Sequence, residues 1–349
     1  MMDTYLKVGY VPYSPDLSQP GDRRRFPYFA ARCHLPFEIA DPSKNYDLIL
    51  LTGSANLSLW LEYKRKNPST KFIFEMVDSL IFDPNLFFKW FKGTGRYVIG
   101  KEKKWQLNYS KLIFEWIRIA DLVLCSNEVL KNNVEQINQK ALLSPDYLES
   151  EYSLRKNNFE LRDSKMNIVW EGLSSVLSFF FVYQDLLKEI SPFCRLHVIS
   201  NEKYPVVPGI YYKNVSSRLS RLPIETIFYH WDLKTHNEIL MKGDCAIIPI
   251  NPKIAFSWNK PANKLVSFWF SGLPTITSDT PAYKKLMDAA GLNCYAHNQR
   301  EWMDKLRNLY KMNPAERAAI AETGYQYAKK HFSDEQLDKI WMVAFNAVR

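Results

Sequence analysis

Residues 244–291 read DCAIIPINPKIAFSWNKPANKLVSFWFSGLPTITSDTPAYKKLMDAAG. AIIPI is a short apolar run of the kind that makes a strand buried on both faces. A polar loop follows, from Pro249 to Lys264. NKLVSFWFSG then places Leu265, Phe268 and Trp269 at helical spacing. Gly272-Leu273-Pro274 stops that helix and drops the chain into PTIT, a second buried strand. Thr280-Pro281 opens another helix, with Thr as cap and Pro at the first helical position. Strand, loop, helix, turn, strand and capped helix make a βαβ unit of a parallel sheet. Ligands of such sheets sit beyond the carboxyl ends of the strands. The loop 249–264 and Ser278-Asp279-Thr280 therefore border a nucleotide-sized crevice.

Within that loop, Asn259, Lys260, Asn263 and Lys264 gather amides and cations at the start of a helix. A helix start presents unpaired N–H groups and partial positive charge, which attract phosphate. Two lysines beside it can hold a diphosphate as point charges. Asn263, Lys264 and Ser267 lie on the face that can point into the crevice. The duller reading is a solvated helix start, with Asn259 on the surface and Ser267 at the edge of the core.

The same alternation of strands and helices fills the rest of the chain. In the first half, YLKVGYVPY, YDLILLTG, TKFIFEMVDS and DLVLCSNE read as strands, separated by the helices NLSLWLEYKRK and SKLIFEWIRIA. Residues 141–165 turn polar and poorly periodic. MNIVWEG (166–172) restarts the pattern, followed by a helix over roughly 175–190, the strand CRLHVIS and weaker segments up to TIFYHW. The expected fold class is α/β, with two Rossmann-like doubly wound domains facing a central cleft. Domain one covers 1–160, domain two 165–330, and a last helix in 331–349 crosses back to domain one. Capping boxes start at Asn313 and Ser333. At 349 residues, two domains are also the prior from length.

The residues of segment 259–279 also carry a resemblance. NKLVSFWFSGLPTITSD resembles the pattern NKLxEYxAxGxPVIxxD of retaining GT-B glycosyltransferases, the group 1, family 4-like enzymes of bacterial polysaccharide biosynthesis. Asn263, Lys264, Leu265, Gly272, Pro274 and Asp279 fall on matching positions. IVWEGL (168–173), ADLVLCSNEVLK (120–131) and PGDRRRF (20–26) also look like family segments. Many members carry two glutamates eight positions apart, the second gripping the donor ribose. Asn259 and Ser267 stand at those places here, which leaves the ribose contact, the donor and the stereochemical outcome open.

The resemblance implies a metal-independent glycosyltransferase without a cofactor. It would move a sugar from a nucleotide-sugar donor to a hydroxyl of a glycan or lipid-linked saccharide, in synthesis of surface polysaccharide such as lipopolysaccharide or capsule. The donor would be held by Glu171, Gly172, Asn259, Lys260, Asn263, Lys264 and Ser267. Of these, Lys260 and Lys264 would stabilise the departing diphosphate, as fixed charges aimed at developing charge do. Domain one would bind the acceptor through Arg23, Arg24, Arg25 and Asp78. Asp22 would serve as general base if the reaction inverts; its bland alternative is a turn or cap residue. A GT-B sugar-nucleotide epimerase or hydrolase, and a non-enzymatic glycan-binding scaffold, are the competing readings.

Composition narrows the partners. Lys plus Arg exceed Asp plus Glu by 46 to 37, so the net charge of +9 favours anionic ligands. The basic residues are dispersed, and no nucleic-acid motif is present. The six histidines have no metal-ligand spacing and no Asp-x-Asp occurs, so no metal site is expected. Five widely spaced cysteines form no CxxC pair, which points to a reducing compartment. The N-terminal stretch does not read as a secretory leader, and no apolar run reaches the length of a membrane span. The expectation is a cytoplasmic protein, peripheral on the inner face of the plasma membrane. The basic-aromatic stretch 86–118 is the candidate for that contact. The G-x4-GK string at 95–101 lacks the Ser or Thr of a phosphate loop and is set aside.

Overall fold

The computed structural model describes residues 6–77, 109–207 and 211–349. It divides into two compact units. The first comprises the chain up to Tyr147 with Asn259–Pro261 and Asp334–Arg349; the second comprises Leu148–Trp258 and Ala262–Ser333. Asp78 and residues 86–108 of the basic-aromatic stretch lie outside the described residues.

The first unit is built on β1 (Val8–Val11), β2 (Glu38–Ile39), β3 (Leu48–Thr52), β4 (Lys71–Met76), β5 (Leu122–Cys125) and β6 (Ala141–Leu143). They form one parallel sheet in the order β2-β1-β3-β4-β5-β6. Side chains alternate across a strand, and the apolar runs feed two separate cores. Ile49, Leu51, Phe72, Phe74, Val123 and Cys125 pack on one face against Trp60 and Trp116. Leu48, Leu50, Ile73, Leu122 and Leu124 pack on the other against Phe26, Phe29, Trp341 and Phe345. The last two come from the C-terminal helix Asp334–Val348, which belongs to this unit. Trp341 stacks on Phe29 at 5.5 Å and Phe345 on Phe26 at 5.9 Å. Ion pairs and hydrogen bonds support the same contact: Arg32 with Asp338 at 2.9 Å, and Tyr28 Oη donating to Asp334 at 2.7 Å.

The second unit carries β7 (Met166–Glu171), β8 (Cys194–Ser200), β9 (Lys203–Val207), β10 (Tyr211–Asn214), β11 (Thr226–His230), β12 (Cys245–Ile248), β13 (Thr275–Ser278) and β14 (Tyr295–Ala296). Its parallel sheet runs β11-β8-β7-β12-β13-β14, and β9 and β10 form a separate antiparallel pair. The chain works outward from β7 to β8 and β11, then returns to β12 on the other side of β7. Strand order therefore reverses between β7 and β12, the place where doubly wound sheets open a crevice.

The decisive segment folds as its pattern predicts. Helix Asn263–Phe270 buries Leu265, Phe268 and Trp269. Gly272, with φ +64°, ends it. Its N–H donates to Trp269 O and that of Leu273 to Phe268 O, both at 3.0 Å, the paired closure of a Schellman motif. Thr280 caps helix Pro281–Ala289 by accepting from Tyr283 N. Asn313 and Glu316 form the expected capping box of helix Pro314–Phe332.

The region 175–190 departs from expectation. In place of one helix there is a 3-10 turn at Ser174–Val176, then Ser178–Val182 and Gln184–Ile190. The aromatic run Phe179-Phe180-Phe181 has no single helical stripe to present, and the chain re-aims between pieces to bury Phe179 and Phe180 in two different cores. Among the described residues, no helix is long and apolar enough to cross a membrane.

Candidate functional site

At the switch between β7 and β12, the last residue of β7 is Glu171. Its residue is 5% exposed. Tyr152 Oη donates to both carboxylate oxygens, at 3.2 and 3.1 Å, and Trp231 Nε1 donates to Oε1 at 3.0 Å. Lys264, from the first turn of helix Asn263–Phe270, brings its Nζ to 3.8 Å from the same Oε1. A buried carboxylate without partners would be costly; two neutral donors and a nearby ammonium hold this one in place.

A second layer holds the first. His236 stacks on Trp231 at 5.6 Å and meets Tyr152 edge-on at 5.1 Å. His236 is fully buried, and its Nδ1 lies 3.1 Å from Leu233 O, which makes Nδ1 the protonated nitrogen. Asn237 Nδ2 donates to Glu151 O at 2.7 Å and ties the segment carrying Tyr152 to the short helix His236–Leu240.

Helix Asn263–Phe270 starts after Ala262, a residue whose side chain offers no cap. The start of a helix attracts anions through its partial positive charge, and the Lys264 ammonium lies in the same turn. The geometry is that of a cationic, donor-lined site: one lysine held in place by an immobilised carboxylate, beside the positive end of a helix. Among the described residues, no three His, Cys, Asp or Glu side chains gather closely enough to hold a metal ion.

The structure brings Glu171 and Lys264 together and gives other expected residues different work. Ser267 is 3% exposed, and its Oγ donates back to Asn263 O at 2.9 Å, so it is satisfied within its own helix. A Cβ on Gly172 would meet the Trp170 ring at 2.4 Å, so glycine stands there for packing. Asn259 and Lys260 fall in the first compact unit, while Asn263 and Lys264 belong to the second.

In the first unit, two residues read as acceptor-site groups are structural. Asp22 is fully buried. Its Oδ1 accepts from Tyr10 Oη at 2.8 Å and Tyr13 N at 2.9 Å, and its Oδ2 from Ser14 N at 3.0 Å and Ser14 Oγ at 3.1 Å. With four donors on it, the carboxylate staples the loop after β1 and has no lone pair left for a substrate proton. Arg25 is also fully buried. Its Nε donates to Glu75 Oε1 at 2.6 Å and its Nη1 to Asp146 Oδ1 at 2.7 Å. Burial works against the Arg25 charge, but Glu75 and Asp146 beside it hold its pKa above the ordinary value. Burial in turn pushes the Glu75 carboxyl up. Arg25 therefore ties β4 to the segment after β6 and does not reach an acceptor. Arg23, the last residue of the short helix Pro20–Arg23, and Arg24 just after it are half-buried, with Arg23 Nε donating to Ser18 O at 3.0 Å.

Tyr152, Trp231 and His236 are the residues that sequence reasoning missed. Trp231 follows the last residue of β11, so the strand-end rule could have found it beside Glu171. Tyr152 lies in the poorly periodic stretch 141–165 and carried no such signal. His197 is structural. Its ring lies between Asn167 Oδ1 at 3.0 Å and Tyr229 Oη at 3.2 Å, and burial lowers its pKa to about 4. A cavity of about 310 Å³ elsewhere in this unit, lined by Arg155, Phe159, Gly272 and alanines of helix Pro314–Phe332, contains none of the candidate residues.

No protein-family model matches the chain, and no curated protein matches it. Solved structures do. Anabaena HepE in complex with UDP shares 12% identity and a TM-score of 0.66, over 98% of this chain and 100% of that one. WaaG, a glycosyltransferase involved in lipopolysaccharide biosynthesis, shares 14% identity and a TM-score of 0.58, over 98% and 99%. S. aureus TarM, solved with UDP, shares 11% identity and a TM-score of 0.58 over 86% of this chain, which spans only 55% of TarM. Identities this low speak to the fold alone. The fold is GT-B: two Rossmann-like parallel sheets, each flanked by helices.

Proposed function

We propose that the chain is a glycosyltransferase that takes a nucleotide-sugar donor and passes its sugar to a hydroxyl of a glycan or lipid-linked saccharide in surface-polysaccharide synthesis. The observation that carries the reading is Lys264, in the first turn of helix Asn263–Phe270, with its Nζ 3.8 Å from Glu171 Oε1 at the switch point of the second sheet. HepE has been solved with UDP and with UDP-glucose on the same fold, so a UDP-sugar is the donor proposed first. Lys264 and the first amides of helix Asn263–Phe270 hold the diphosphate and stabilise the charge that develops as it departs. Asn259, Lys260 and Asn263 enter the proposal through their place in the preceding loop. Glu171 positions Lys264; Tyr152 and Trp231 position Glu171. Arg23 and Arg24 are the acceptor-side candidates, along with Asp78. No metal is assigned a role, and the setting is the cytoplasmic face of a membrane, where lipid-linked acceptors are presented.

The test is a thermal-shift screen against UDP and UDP-sugars, followed by nucleotide release with and without acceptor. A ligand of the native state raises its melting temperature. Release that requires an acceptor supports transfer. Release without one indicates a hydrolase, an altered sugar with no release an epimerase, and no response to any nucleotide removes the proposal.

A further inference from the structure

The carboxyl edge of the second sheet carries a further pair of polar side chains, apart from Glu171 and Lys264. β13 and β14 run parallel, with Ser278 opposite Ala296. The next residue on each is Asp279 and His297. His297 Nδ1 lies 2.5 Å from Asp279 Oδ2. Facing a carboxylate, Nδ1 carries the proton, which leaves Nε2 as the acceptor of the neutral ring. The Tyr295 ring packs edge-on against the imidazole at 5.6 Å.

Local structure does not account for this pair. The cap of helix Gln299–Lys311 is Asn298, which accepts from Glu301 N. The backbone of His297 is already tied down, its N–H donating to Glu301 Oε2 at 3.0 Å. Helix Pro281–Ala289 is capped by Thr280. The His297 side chain is 49% exposed and that of Asp279 21%, and an ion pair so open to water contributes little to stability. Among the described residues, Asp279 Oδ1 and His297 Nε2 have no hydrogen-bond partner. Two acceptors from adjoining side chains are thereby open at the sheet edge.

The pair stands at the same edge as the candidate donor site and within the same compact unit. Ser278, just before Asp279, accepts from Ile250 N on its Oγ at 2.9 Å, which fixes the start of the loop that leads to Lys264. β13 is two strands from β7 in the sheet, so Asp279 is about 10 Å along the edge from Glu171 at the usual strand spacing. A nucleotide sugar is longer than that, since its diphosphate has a ring on either side. The Asp279 carboxylate repels phosphate, and two acceptors suit two adjacent hydroxyls that each donate a proton. We infer that Asp279 and His297 form a subsite for a vicinal diol of the nucleotide sugar, carried either by its ribose or by its hexose. The inference rests on the proposed function and adds to it the groups that read the donor's hydroxyls. Ser267, expected to face the crevice, is closed off within its own helix.

The experiment is isothermal titration of UDP, its 2′-deoxy analogue and UDP-glucose into wild type, Asp279→Ala and His297→Ala. Both variants should keep the wild-type melting temperature within about 3 °C, since the pair is exposed. Asp279→Ala should raise the Kd of the diol-bearing ligand about tenfold and His297→Ala about threefold. If the ribose carries the diol, UDP loses affinity in the variants, and the 2′-deoxy analogue, already weaker on wild type, does not change. If the hexose carries it, UDP and its deoxy analogue are unaffected and UDP-glucose alone weakens. Affinities within about twofold of wild type for every ligand overturn the inference. So does an equal loss for all of them, which marks a contact to base or phosphate. Those results leave the transferase reading standing, whereas a wild type that binds none of these ligands removes both.

Discussion

Replacing Lys264 by Met keeps most of the side-chain stem and removes the ammonium. That ammonium stands 3.8 Å from Glu171 Oε1. At such a separation two unit charges attract by about 4 kcal/mol at an effective dielectric near 20. The Lys264 side chain is 35% exposed. Water therefore screens much of that attraction, and the pair contributes about 1 kcal/mol or less to folding. Glu171 retains Tyr152 and Trp231 as donors. The melting temperature of Lys264→Met should therefore fall by only about 2–4 °C. A bound diphosphate loses more: a charge-assisted hydrogen bond is worth roughly 1.5–3 kcal/mol. That corresponds to a Kd for UDP raised about 10- to 150-fold. Isothermal titration of UDP into wild type and Lys264→Met measures it directly. Adding Glu171→Gln to Lys264→Met should change Kd little further, because Glu171 acts through the lysine. A folded Lys264→Met that binds UDP within about twofold of wild type would refute the site, since no other role given to the ammonium survives that result.

Other perturbations separate packing from chemistry. Arg25→Met strands Glu75 and Asp146 without their cation, and urea unfolding should register a loss of about 3–5 kcal/mol; a near-neutral change would mean the buried triad is not structural. Gly272→Ala places a Cβ 2.9 Å from Arg155 Cγ at a φ of +64°, and a loss of roughly 1–2 kcal/mol by thermal denaturation is expected. His197 protonates near pH 6.5 when unfolded but only near pH 4 when folded, because burial lowers its pKa. The unfolded chain thus binds the proton first, and stability should fall as pH drops from about 6.5 to 4, by up to about 1.4 kcal/mol per unit. Urea midpoints across that range should flatten in His197→Gln; an identical slope in the variant removes the assignment.

The apolar runs of β3, β4, β5, β7 and β12 were legible because strands buried on both faces need unbroken hydrophobic sequence. The stop at Gly272 was legible because only a residue tolerant of positive φ closes a helix in that manner. Lys264 was legible from its place at a helix start after a strand-end loop. Asp22 and Arg25 were misread for a common reason. A charged run in a loop looks the same whether it faces water or folds inward onto Tyr10, Glu75 and Asp146, and those partners lie 12 to 121 positions away.

Local pattern alone determined the alternation of strands and helices, the capped ends around 263–281 and the place of a cationic loop at a strand edge, since each depends on neighbours a few residues apart. Only the tertiary structure decided which charges are functional candidates and which are mortar. Whether a carboxylate binds a ligand or staples a loop depends on what is brought against it. For Glu171 those groups are Tyr152, Trp231 and Lys264, drawn from three separate segments of the chain. Their convergence follows from the order in which strands cross over in the sheet, which no local window of sequence records.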